Sequence, residues 1–254
     1  VHNDSLDGSD LSFICRLLNL EKNVYYSFYE VDYRYRRQLT LDSTNFPIVS
    51  IYTDEFGIPY PNNKYIAYMG IINNADGSNK PTDNFNVYNG RISINLRGQT
   101  SLYWPKKQYR IETQDSAGEN LNVSLLGMPP DNDWILYGPF GDKSLIRNEM
   151  AFVLGRKLGY YQPRTRFCEL LVNGEDMGLY VLTEKIKRDA NRVNIANLRA
   201  TDITGIDVTG GYIVRYDKGS NTLQYVDPDE DEIMPEQQSY INSFYKDFFA
   251  VLNT

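Results

Sequence analysis

Residues 91–97 alternate strictly between polar and apolar side chains, and this pattern constrains the fold more than any other feature of the chain. Ile92, Ile94 and Leu96 share one face, whereas arginine, serine and asparagine side chains occupy the other. Because successive side chains of a β-strand point to opposite faces, the pattern predicts a strand with one face against a core. Further strands are predicted at residues 30–36, 47–52, 65–72, 108–113, 133–138, 166–172, 179–183 and 210–216.

Turn and helix signals complete the predicted secondary structure. Asn173 and Gly174 lie between two predicted strands and indicate a β-hairpin. Apolar residues at helical spacing predict helices over residues 11–20, 144–158 and 239–252, with Asp142 as the N-cap of the second and Gly159 at its end. The chain is therefore predicted to be an α+β protein rich in antiparallel sheet.

The length of 254 residues allows one large domain or two ordinary ones. We assign residues 1–45 to an N-terminal helix and strand that pack on the core. Residues 46–254 then form the main domain, which contains most of the predicted strands and two of the three predicted helices.

Composition excludes several classes of function. The net charge of −7 argues against nucleic acid as a partner. The longest apolar run, residues 65–72, is far short of the roughly 20 residues that span a bilayer. The single histidine, His2, excludes Ser-His-Asp catalysis and His-rich zinc sites. Cys15 and Cys168 form no C-x-x-C motif; we expect two buried thiols, and a disulfide between them is the alternative.

A pair of adjacent lysines offers the most specific chemical signal. If Tyr109 faces the core in the strand at 108–113, alternation also turns Lys107 inward and leaves Lys106 outside. An inward ammonium needs an anion, which is either a carboxylate or a bound phosphate. We predict Glu184, at the end of a neighbouring strand, as the partner of Lys107. A purely structural ion pair and a surface lysine are the alternatives.

A second group of polar residues lies at the start of the predicted helix 144–158. Asp142 can cap this helix, and Arg147 and Asn148 can form hydrogen bonds in its first turn. A helix N-terminus also attracts anions. Spacing alone favours the capping role and leaves anion binding as the alternative.

The order of short motifs along the chain resembles the spore coat protein H (CotH) kinase family over roughly residues 46–217. The motifs are RGQTS at 97–101, PKKQYR at 105–110, DW at 133–134, DKSLIRN at 142–148, LVNG at 171–174, GLYVLTE at 178–184 and GGY at 210–212. The ordered set is far more specific than any single motif.

This resemblance implies an atypical protein-kinase-like fold that transfers phosphate from ATP to serine or threonine hydroxyls of a protein substrate, with Mg²⁺ or Mn²⁺. It also implies an exported or cell-surface protein, because family members include spore-coat and surface-adhesion proteins. Lys107 matches the family's phosphate-contacting lysine and Glu184 its glutamate. The nucleotide-binding set implied in this way is Arg97, Lys107, Asp142, Arg147, Asn148 and Glu184.

The chain departs from the family in one respect. The family's metal-binding and catalytic aspartates lie in later segments, one of them of Trp-Asp-x-Asp type, and Trp134 is the last tryptophan here. We therefore expect an N-terminal portion of a CotH kinase-like domain, or a short member, that holds no catalytic or metal-binding residue and does not transfer phosphate alone. The alternative is a non-catalytic cell-surface binding or adhesion module on the same scaffold.

Overall fold

The computed structural model describes residues 41–53, 63–216 and 223–252. The predicted helix at 11–20 and strand at 30–36 lie outside the described residues, as do His2 and Cys15. The chain divides into two compact units. The first comprises the described residues up to Leu158 together with Pro163–Lys185, and the second comprises Gly159–Gln162 and the described residues from Ile186 onward. The predicted main domain, 46–254, therefore contains parts of two units.

In its described part, the first unit consists of seven strands, one α-helix and one 3₁₀ turn. The elements are β1 Ile48–Thr53, β2 Tyr65–Ile72, β3 Tyr88–Arg97, the 3₁₀ turn Thr100–Tyr103, β4 Gln108–Thr113, β5 Asp133–Tyr137, α1 Arg147–Lys157, β6 Thr165–Val172 and β7 Glu175–Glu184. The strands close into a barrel in the order β1-β2-β3-β4-β5-β7-β6. All neighbours are antiparallel except β1 and β6, which pair in parallel. The α+β, strand-rich prediction is confirmed.

The apolar face of β3 lies in the core of the first unit, as predicted, but Ser93 and Asn95 on the other face are buried too. Ile92 and Ile94 of β3 are fully buried, and Ile94 lies opposite Ile111 of β4. Each side chain of this kind contributes about 1.5–3 kcal/mol when it leaves water. Trp134 is also fully buried, and its indole N–H donates to the carbonyl oxygen of Asp131 at 3.0 Å. Cys168 is a buried free thiol, as predicted.

Helix α1 begins later than predicted. The apolar spacing predicted a helix over 144–158, but the helix runs from Arg147 to Lys157. Leu145 has a φ of +65°, a left-handed conformation that a right-handed helix cannot contain. Ile146 therefore occupies the N-cap position that was predicted for Asp142. The Asp142 carboxylate still satisfies the first helical N–H, that of Arg147, at 2.8 Å.

In its described part, the second unit contains two strands, a 3₁₀ turn and a helix: the turn Asp207–Thr209, β8 Ile213–Tyr216, β9 Leu223–Asp227 and α2 Pro235–Leu252. Strands β8 and β9 form an antiparallel pair, of which only β8 was predicted. Helix α2 starts four residues earlier than predicted, with Pro235 at its first position, where a missing N–H costs nothing. The ring of Tyr216 packs on Tyr245 and Phe249 of this helix. Neither helix in the described part of the chain is both long and apolar enough to span a membrane.

Gly211 of the second unit lies at a position where a side chain is strongly unfavourable. Its φ is +81°, and a Cβ there would clash with the backbone oxygen of Ala196. We expect Gly211→Ala to destabilise this unit by about 2–4 kcal/mol, from left-handed strain plus a clash with backbone. Gly205→Ala is the matched control, because Gly205 has a φ of +62° but open space around it, so only about 1 kcal/mol is expected. Hydrogen exchange of the second unit measures the loss of unfolding free energy in each variant. Equal losses in the two variants would contradict the role of the clash with Ala196.

Candidate functional site

Lys107 lies just before β4, at the end of the barrel where β3 finishes. Its Nζ donates to the carbonyl oxygen of Leu102 in the 3₁₀ turn at 2.6 Å. No carboxylate in the described parts of the chain forms an ion pair with this ammonium. Lys107 is therefore a cation held in place by a neutral carbonyl, with its charge available to a further ligand.

Glu184 is not the partner of Lys107, so the predicted pair is wrong. Both oxygens of the fully buried Glu184 carboxylate bind Arg164: Oε1 accepts from its guanidinium at 2.6 Å and Oε2 from its backbone N–H at 2.8 Å. The strand register explains the separation. Glu184 pairs with Trp134 of β5, whereas continuing the register places Lys107 opposite Gly138 and Tyr180. Four residues along a strand correspond to roughly 13 Å.

Arg97 lies beside the Lys107 segment. It ends β3 opposite Gln108, and its guanidinium donates to the Gln108 side-chain oxygen at 3.1 Å. Gly98 then turns the chain with a φ of +122°, and a Cβ there would clash with the Ser101 hydroxyl. Only glycine fits this turn. The result is a short loop carrying hydroxyl groups between two cationic side chains.

Asp142, Arg147 and Asn148 lie around the start of α1. The Asp142 carboxylate accepts from the Ser144 hydroxyl at 2.7 Å and from the Arg147 backbone at 2.8 Å, and it lies 3.4 Å from the Arg147 guanidinium. Burial acts to raise the pKa of Asp142, but these hydrogen bonds and the guanidinium outweigh it and lower that pKa. The Arg147 side chain is 75% exposed, and Asn148 is exposed too. Asp142 thus organises the helix start.

An aromatic contact connects the two loops. The rings of Trp104, which follows the 3₁₀ turn, and Phe140 lie 5.9 Å apart. Gly141 packs directly on the Trp104 ring, since a Cβ there would lie 3.0 Å from it. The segment that leads to Asp142 is therefore packed against the segment that leads to Lys107.

Lys106 is the lysine that the fold encloses, contrary to the prediction from alternation. Its Nζ donates to the carbonyl oxygen of Met177 at 2.8 Å and lies 4.3 Å from the centre of the Tyr180 ring. Burial lowers the pKa of Lys106 to about 8, although Glu169 and Asp176 pull it upward. The alternation failed because β4 begins only at Gln108, so the two lysines lie outside the strand.

Glu169 and Asp176 complete this buried cluster, and neither was predicted from the sequence. Burial raises the pKa of Glu169 to about 8, with a further rise from Asp176 and an opposing effect of Lys106. The pKa of Asp176 is also raised, mainly by burial. Glu169 is 1% exposed, and its Oε1 has no hydrogen-bond partner among the described residues. The signal was present: Glu169 interrupts the apolar run of β6.

The described residues gather no set of three or more histidine, cysteine, aspartate or glutamate side chains suited to a metal ion. No metal ligand is therefore assigned. Lys107, Arg97 on the neighbouring strand end and the hydroxyl-bearing turn between them are donors of the kind that phosphate binds.

Comparison with known proteins identifies a family to which most of the chain matches. The model of the family described as CotH kinase protein matches residues 94–253, which is more than half of the chain. The match covers Arg97, Lys107, Asp142, Arg147, Asn148 and Glu184. No curated protein sequence matches the chain.

Proposed function

Since the chain belongs to the CotH kinase protein family, we propose that it binds ATP through its first unit, as the nucleotide-handling part of an enzyme that phosphorylates serine or threonine hydroxyls. The barrel would serve as the nucleotide-binding lobe of an atypical kinase-like fold. The observation that carries this proposal is the Lys107 ammonium, which binds the Leu102 carbonyl and has no carboxylate partner in the described parts of the chain, while Arg97 lies opposite the next residue, Gln108.

Phosphate recognition needs cations whose charge is not already neutralised. Lys107 meets this requirement, whereas Lys106 lies among Glu169 and Asp176. Arg97 presents a planar guanidinium, which can bind two phosphate oxygens at once. The Thr100 and Ser101 hydroxyls lie on the turn between these side chains and can donate to further phosphate oxygens. Mg²⁺ or Mn²⁺, when bound with the nucleotide, would neutralise part of the phosphate charge.

The other members of the sequence-derived set take different roles in this proposal. Arg147 is exposed at the start of α1 and can approach an anion, and Asn148 follows it. Asp142 holds this helix start in place through its hydrogen bonds to Ser144 and Arg147. Glu184 supports the barrel through Arg164 and does not touch the nucleotide.

Isothermal titration with ATP and Mg²⁺ tests the proposal. We expect Lys107→Met to weaken ATP binding by about tenfold to a hundredfold, the value of one hydrogen bond to a charged group. Lys80→Met is the matched control. Lys80 is exposed in the loop between β2 and β3, at the end of these strands away from Arg97, so its loss should leave affinity unchanged.

Two results would contradict the proposal. If the unmodified chain shows no heat of ATP binding, or if Lys107→Met and Lys80→Met behave alike, the phosphate role of Lys107 is wrong. The first result would favour the non-catalytic surface-module alternative.

A further inference from the structure

Tyr180 contacts both members of the lysine pair. Its hydroxyl donates to the backbone carbonyl of Lys107 at 2.9 Å, while its ring lies beneath the Lys106 ammonium, 4.3 Å from the ring centre. Tyr180 is itself fully buried on β7, and its ring stacks on Tyr109 of β4 with 6.1 Å between centroids. One rigid side chain therefore anchors two successive residues of the chain.

The lysine segment is fixed from two other directions. Lys106 is tied to β7 by its hydrogen bond to Met177, at the irregularity where β7 departs from regular pairing with β6. Gly138 lies directly underneath, because a Cβ there would lie 3.0 Å from both the Lys106 Cγ and the Lys107 carbonyl oxygen. The Lys106 side chain and the Lys107 carbonyl are both held. The backbone between them therefore cannot rotate in a way that would turn Lys106 outward and Lys107 inward.

We infer that Tyr180 and Lys106 are positioning residues for Lys107, holding its ammonium at the end of the barrel where phosphate would bind. This inference rests on the proposed function and adds the reason why one lysine of the pair, and not the other, reaches the nucleotide. The enclosed Lys106 fixes the loop before β4. The second anchor is the hydrogen bond from the Tyr180 hydroxyl to the Lys107 carbonyl, and it sets the direction of the Lys107 side chain.

A double-mutant cycle tests this role. Tyr180→Phe removes one hydroxyl and keeps the ring, so the fold should persist. We expect it to weaken ATP binding about fivefold in the unmodified chain, by loss of one hydrogen bond. In a Lys107→Met background it should change affinity by less than about 1.5-fold, because nothing remains to be positioned. Equal effects in both backgrounds, or no effect in either, would overturn the inference.

A measurement without nucleotide separates this inference from the proposed function. Reductive methylation with ¹³C-formaldehyde gives each lysine its own NMR signal. Tyr180→Phe should shift the signals of Lys106 and Lys107 and leave that of Lys80 in place. A Lys107 signal that does not move would overturn the positioning role even if ATP binds. If the signals shift as expected but Lys107→Met leaves ATP affinity unchanged, the proposed function fails instead.

A conservative replacement of Lys106 provides a third test of the inference. Lys106→Arg keeps a cation over the Tyr180 ring and a donor for the Met177 carbonyl, whereas Lys106→Met keeps only the aliphatic stem. We expect the ATP affinity of K106R to stay within about threefold of that of the unmodified chain, and that of K106M to fall by about fivefold or more. Equal affinity of the two variants would show that the ammonium at position 106 positions nothing.

Discussion

Glu184→Gln is expected to lower the free energy of unfolding of the first unit by about 2–4 kcal/mol. The reason is that Glu184 is fully buried and binds both the guanidinium and the backbone N–H of Arg164. Removing the carboxylate charge weakens both contacts, because the glutamine side chain keeps one acceptor oxygen and places an NH₂ donor against the guanidinium or the backbone N–H of Arg164. The Arg164 side chain is 37% exposed, so water offsets part of the loss, and the effect falls below that of a fully buried pair.

Urea denaturation followed by tryptophan fluorescence measures this change, because Trp104 and Trp134 both belong to the first unit. Glu175→Gln is the matched control. Glu175 is exposed at the opposite end of the same strand, and its replacement should cost less than about 0.5 kcal/mol. ATP affinity of the folded Glu184→Gln protein should equal that of the unmodified chain. A marginal stability change combined with lost ATP binding would place Glu184 at the nucleotide after all.

Glu169→Gln is expected to stabilise the first unit at pH 8 by a few kcal/mol, which is the order of the free energy that corresponds to the pKa shift of Glu169. At pH 5 the substitution should have little effect. Burial raises the pKa of Glu169 from 4.5 to about 8 in the folded chain. Between these values the folded state keeps a proton that the unfolded state has lost. Stability from this group is therefore present below pH 4.5 and is lost as pH rises to about 8.

Lys106 and Cys168, which lie near Glu169, determine the pH at which the fall in stability ends. Burial lowers the pKa of Lys106 from 10.5 to about 8, so above pH 8 the unfolded chain retains a proton that the folded chain has lost, and stability rises again. Burial also raises the pKa of the Cys168 thiol above its ordinary value of 9.0, which opposes this rise at higher pH. Glu169 and Lys106 together should thus give the first unit a stability minimum near pH 8.

Denaturation at pH 5, 6.5 and 8 checks the prediction. The unmodified chain should lose stability along this series relative to Glu169→Gln, in which position 169 no longer titrates. Glu119→Gln, at an exposed loop position, serves as the control and should follow the unmodified chain. Parallel pH profiles for Glu169→Gln and the unmodified chain would show that Glu169 is ionised throughout, paired in a way that the structure does not suggest.

Strand positions could be predicted closely because the alternation of polar and apolar residues along a strand is a local property of the sequence. The predicted strands at 65–72 and 108–113 coincide with β2 and β4. The family was also identified from an ordered set of short motifs, and the family-model match over residues 94–253 confirms it. Closure of the sheet into a barrel was not predictable in the same way, since the β1–β6 pairing joins residues more than one hundred positions apart.

The side-chain environments of two predicted site residues, Lys107 and Glu184, differ from the prediction, and each difference has a physical cause. Alternation was extended to Lys107 across a segment that is not a strand, so the enclosed lysine was assigned to the wrong position. Glu184 was paired with a lysine because its true partner, Arg164, lies in a loop before β6 that no periodic pattern marks. Lys107 and Arg97 both belonged to the predicted set, and they lie at one end of the barrel, Arg97 as the last residue of β3 and Lys107 directly before β4.

The contact between Lys107 and nucleotide phosphate is the central claim, and an ATP analogue acylated on its γ-phosphate tests it most directly. A lysine amine beside the phosphates attacks the acyl carbon, forms an amide and releases ATP, and mass spectrometry locates the modified residue. We predict modification of Lys107 that excess ATP suppresses, with Lys106 and Lys80 unmodified. ATP-protected modification of Lys106, or modification that excess ATP does not suppress, would contradict it.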